Sequence, residues 1–71
     1  MTTQSNWQTT VEGKWEQVKG TVRQKWGQLT DDDLAECKGN REKLIGKIME
    51  RQNVSHEVAE RQVGDWQKNL A

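Results

Sequence analysis

Residues 29–34 read "LTDDDL", and they spell the start of a helix. Thr30 can offer its side-chain oxygen to the amides of the first turn, where Asp31, Asp32 and Asp33 stand against the positive end of the helix. Leu29 and Leu34 hold the two positions that pack together across such a cap. A helix that begins here forces whatever precedes it to end, so the chain divides into separate helices.

The same logic recurs on either side. The helix from Asp31 runs to about Lys38 and stops at Gly39. Asn40 caps a third helix through about Gln52, with Leu44, Ile45, Ile48 and Met49 on one face and Asn53 as its terminator. Ser55 caps a fourth, flanked by Val54 and Ala59, with Val58, Ala59, Val63, Trp66 and Leu70 at helical spacing.

Toward the N-terminus, residues placed at about 100° per step put Trp7, Val11, Trp15, Val18, Val22 and Trp26 within an arc of about 100°. That predicts one long amphipathic helix, with Gly27 as the left-handed residue that closes it. Gly13 and Gly20 fall opposite the apolar stripe, where they should face water. No segment alternates like a strand, and no Asn-Gly or Asp-Gly hairpin turn occurs. The expected fold is all-α: residues 1–71 as a single domain of about four helices, one long N-terminal helix plus three shorter ones, with residues 1–5 as a disordered tail.

Composition narrows the function. The chain has 71 residues, of which 31% are hydrophobic and 31% charged, so its core must be thin and its stability marginal. Four tryptophans argue against simple disorder, because each carries a large apolar area that folding can bury. Eleven basic and eleven acidic residues cancel, unlike the balance of a protein built to coat nucleic acid. The lone Cys37 excludes an internal disulfide and points to a reducing, cytoplasmic setting. No apolar run is long enough to span a membrane.

Candidate chemistry is sparse. Asp31, Asp32, Asp33 and Glu36 lack the alternating acids and glycine of a calcium loop, and helix capping accounts for them. "HEVAE" at residues 56–60 has Glu60 where a zinc-protease motif needs its second histidine. His56 is the only histidine, and nothing in the spacing brings it to Cys37 to make a nucleophile and base. No catalytic, cofactor-binding or metal residue is assigned, and no cofactor is expected.

One stripe stands out. Lys43, Lys47 and Arg51 follow at four-residue steps along the third helix, with Lys38 and Arg41 leading into it. Like charges at this spacing repel, which calls for acidic neighbours in the fold or an anionic partner. The aspartates of "LTDDDL" can supply the former; nucleic acid or an anionic surface would be the latter. A membrane-surface role for the tryptophan stripe is weakened by Glu12 and Glu16, and two heptad copies, "VEGKWEQ" and "VKGTVRQ", are too few for a coiled coil.

From "NW" at residues 6 and 7, through "EGKWEQVKGTVRQKWGQLTDDDL" and "GNREKLIGKI", to "AERQVGDW", the chain resembles the CsbD-like family of small bacterial general stress proteins. The most specific elements are G-K-W-x-Q-x-K-G at Gly13 to Gly20, W-G-x-L-T-D-D-D-L at Trp26 to Leu34, and the closing Trp66. The resemblance implies a cytoplasmic helical protein that accumulates under stress, folded as two roughly orthogonal helical hairpins. It implies no activity and no site residues. The expected function is therefore a non-enzymatic stress protein, monomeric and without an identified partner, in a protective or interaction role. The alternative is an anion-binding module using Lys38, Arg41, Lys43, Lys47 and Arg51.

Overall fold

The computed structural model describes Trp7 and residues 11–70. A 3-10 turn, Glu12–Lys14, leads into α1, Trp15–Lys25, and three further helices follow: α2, Asp31–Cys37; α3, Arg41–Gln52; and α4, His56–Leu70. No strand occurs among the described residues. No described helix is long and apolar enough to cross a membrane. The expected disordered tail lies outside the described residues.

Side-chain caps set the helix starts as the sequence predicts. Thr30 Oγ1 accepts from the Asp33 amide at 3.1 Å while the Asp33 carboxylate accepts from the Thr30 amide at 3.0 Å, a reciprocal capping box. Asn40 Oδ1 accepts from the Lys43 amide, and Ser55 Oγ from the Val58 amide. Asn53 ends α3 in the left-handed conformation, φ 57°.

The N-terminal segment departs from one long helix. Its helix proper has 11 residues, and the longest helix among the described residues is the last, α4, with 15. The ladder tightens over Glu12–Lys14, where Gly13 favours helix least and the Glu12 backbone lies against Gly39. The apolar stripe survives this break: Trp7, Val11, Trp15, Val18, Val22 and Trp26 are all buried. They join Leu29, Leu34, Cys37, Leu44, Ile45, Ile48, Ala59, Val63 and Trp66 in one core. Val58, expected on the inner face of α4, is instead 43% exposed, at the rim of that face.

The tryptophans tie the N-terminal segment to the rest by both area and hydrogen bonds. The Trp7 indole donates to the Gly39 carbonyl at 2.6 Å, Trp15 to the Leu34 carbonyl at 3.2 Å, and Trp26 to Gln62 Oε1 at 2.7 Å. Trp66 stands edge-on to Trp26, with centroids 5.6 Å apart, and tilted against Trp7 at 5.9 Å. Its own N–H is buried without an acceptor among the described residues, a cost that its ring burial must outweigh.

Gly27 does not adopt the left-handed conformation expected of it. The left-handed conformation occurs instead after the next helix, at Lys38, φ 53°, and Gly39, φ 80°, which together turn α2 into α3. Gly39 is also the glycine at a close backbone approach, since a Cβ there would lie 3.0 Å from the Glu12 Cα. Gly20, by contrast, faces open space, as its place on the helical wheel predicts. Gly39→Ala should accordingly destabilise the protein by about 2 kcal/mol, a fall of roughly ten degrees in melting temperature measured by circular dichroism.

Candidate functional site

The basic stripe on α3 meets the acidic start of α2. Asp33, only 3% exposed, is the charged residue that the fold buries among the described residues. Arg51 clasps it with two donors, Nε to Oδ2 at 2.8 Å and NH2 to Oδ1 at 2.9 Å. Lys47 Nζ stands 3.6 Å from the same carboxylate and 2.6 Å from Glu36. One aspartate thus caps its own helix and fastens the last turn of α3 to it.

These contacts set the protonation chemistry. The Arg51 hydrogen bonds, together with the amide of Thr30, hold the Asp33 carboxyl far below the usual carboxylate range, against the opposing effect of burial. Reciprocally, the hydrogen bond to Glu36 raises the Lys47 pKa and that to Asp33 raises the Arg51 pKa. Cys37 is fully buried at the far end of α2, and loss of solvent pushes its thiol up to about 11. Such a thiol is a poor nucleophile.

The stripe therefore splits in two. Lys47 and Arg51 are engaged by Asp33 and Glu36, and Arg41 lies 3.7 Å from Glu60 with its side chain mostly covered. Lys38 and Lys43 are exposed and make no ion pair among the described residues. They border a shallow depression of about 630 Å³ over Gly46, where Lys47, Glu36 and Glu50 also line the surface. Its mixed charge does not single out an anion.

The other acids and the histidine scatter. Asp31 pairs with Arg23 at 2.9 Å while Asp33 turns inward, so the consecutive aspartates converge on no common point. No group of three His, Cys, Asp or Glu side chains that could hold a metal occurs among the described residues. His56 sits half-exposed, 3.7 Å from both Glu42 and Glu60, whereas Cys37 is in the core. Sequence reading missed the depth of Asp33. The Thr-x-x-Asp spacing of a capping box was its available signal, combined with three cations on the facing helix.

A small all-α domain with a thin tryptophan core and a mixed-charge surface is the class that this geometry defines. The CsbD-like family model matches residues 9–61, and the chain belongs to that family of general stress proteins. It is 47% identical over 55 residues to the UPF0337 protein YjbJ of Escherichia coli strain K12, covering 78% of this chain and 80% of that protein. A UPF0337 protein of Protochlamydia amoebophila is 46% identical over 57 residues, 80% of this chain and 86% of its own length. One from Pseudomonas aeruginosa is 45% identical over 60 residues, 84% and 92% respectively. No solved structure matches the chain significantly.

Asp33 titrates at lower pH folded than unfolded, so its contribution to stability is complete above the ordinary aspartate range and fades as acid protonates the native carboxyl. Wild-type melting temperature should be flat from about pH 8 to pH 5 and fall steeply below about pH 4. Asp33→Asn should lower the neutral-pH melting temperature by roughly 5–10 °C and flatten the acid limb, as followed by thermal melts across pH.

Proposed function

We propose that the protein is a non-enzymatic, cytoplasmic stress protein acting as a monomer, whose protective or interaction role depends on a fold kept near its threshold of stability. The observation that carries this reading is the placement of glycine. Gly20, Gly46 and Gly64 lie inside α1, α3 and α4, and a Cβ at any of them would meet nothing within 4 Å. No close approach requires them. Each costs its helix about 1 kcal/mol relative to alanine, a large share of the few kcal/mol available to a domain of this size.

The surface agrees with such a role. Exposed charges of both signs keep a partly opened chain hydrated, and the net charge of zero leaves no strong field to attract one class of polymer. Two cations of the basic stripe are already committed, since Arg51 and Lys47 hold Asp33 and Glu36.

The Gly20→Ala, Gly46→Ala, Gly64→Ala triple variant should melt roughly fifteen degrees higher than wild type. Introduced in place of the native gene, it should protect cells less well across osmotic, heat and stationary-phase challenges. Full protection by a stabilised variant would sink the threshold reading. In gel-shift titrations the wild-type protein should bind duplex DNA only weakly and lose that binding by about 200 mM salt. Sub-micromolar binding that survives such salt and disappears in a Lys38→Glu, Lys43→Glu variant would instead establish the anion-binding module.

A further inference from the structure

The four helices are not equally secured. α2 has its capping box at Thr30, α3 has Asn40 at one end and a left-handed Asn53 at the other, and α4 has Ser55. α1 has neither kind of end. Lys14 precedes it with no side-chain cap, and it closes on Trp26 at φ −121°, outside the left-handed conformation. Val11, at the start of the 3-10 turn, provides no side-chain cap either. Gly20 falls in the middle of this short helix.

Its attachments are of a different kind as well. The closest helix packing is α3 on α4 and α2 on α3, and α1 has no comparable partner. The ion pairs made by α1, Lys19 with Glu16 and Arg23 with Asp31, are solvent-exposed and weak. It is held by its buried stripe and by indole hydrogen bonds at its two ends. The Asp33 cluster that joins α2 to α3 involves no residue of α1.

We propose that α1, together with the 3-10 turn before it, opens as a separate unit while α2, α3 and α4 stay folded. This rests on the threshold reading above and names the part of the fold that yields first. The device has a built-in reporter. Cys37 lies between Leu34 and Gly39, whose carbonyls accept from Trp15 and Trp7, and Gly39 is covered by the Glu12 backbone. Cys37 shares one buried core with Trp15, Val18 and Val22, so the proposed lifting of α1 opens that core and gives reagent access to the thiol.

The test is the rate at which Cys37 of the native full-length protein reacts with excess aromatic disulfide reagent at neutral pH, under conditions where opening and reclosing are faster than reaction. Gly20→Ala should slow labelling about five-fold, because it secures the closed helix, whereas Gly46→Ala in α3 should leave the rate unchanged. In hydrogen exchange, the amides of Val18 and Val22 should be protected less than those of Ile45 and Ile48. Equal slowing by both variants, no slowing by Gly20→Ala, or uniform protection at the global level would each overturn separate opening. The threshold reading would survive those outcomes, since it is decided by the melting temperature and stress protection of the triple variant.

Discussion

The contact on which the arrangement depends is the pair between the buried carboxylate of Asp33 and the partly exposed guanidinium of Arg51. A carboxylate cannot be taken out of water in so small a domain unless its lone pairs are claimed, and here the Thr30 amide, Arg51 and Lys47 claim them. Because the same carboxylate closes the capping box, the start of α2 and the last turn of α3 are fixed to one point. That fixes the corner at Lys38 and Gly39, and the corner in turn presents the carbonyls of Leu34 and Gly39 to the indoles of Trp15 and Trp7. Removing the aspartate would therefore disturb more than an ion pair.

Much of this was legible in the residues. The helix starts at Asp31 and Arg41 and the left-handed stop at Asn53 follow from short-range rules, since a cap is decided by a few adjacent residues. The apolar stripe from Trp7 to Trp26 was also readable, because burial on one face imposes a helical period. The break at Glu12–Lys14 was not. It lies where the Glu12 backbone meets Gly39, a contact between residues far apart in sequence, and the stripe of buried residues runs through it.

The glycines show the same division between local and tertiary causes. Gly20 could be assigned to the solvent face by counting residues, but Gly27 and Gly39 could not be told apart, as each follows a helix. Gly39 takes the positive φ where α2 turns sharply into α3 beneath Glu12, whereas the chain leaves α1 through Trp26 and a turn in which the Leu29 amide donates to the Trp26 carbonyl, with no left-handed residue. For the candidate site, the sequence supplied the basic stripe and the need for acids beside it. Which cation meets which acid depended on how α2 and α3 cross, and that set Lys47 and Arg51 against Asp33 while leaving Lys38 and Lys43 without an ion pair among the described residues.

The distribution of charge gives the two halves of the fold different responses to their surroundings. Salt at physiological strength or above screens exposed pairs such as Lys19 with Glu16 and Arg23 with Asp31, but has much less effect on a carboxylate that is 3% exposed and held by two parallel hydrogen bonds. A rise in ionic strength therefore weakens the electrostatic support of α1 while the clamp between α2 and α3 persists. The added salt also strengthens or weakens apolar burial according to the ion, so the sign of the net effect on α1 depends on the tryptophans as much as on the charges. Four indoles in a thin core make that apolar contribution large for the size of the chain. The clamp keeps α2 and α3 in register throughout, so the corner to which α1 returns is still formed when conditions relax.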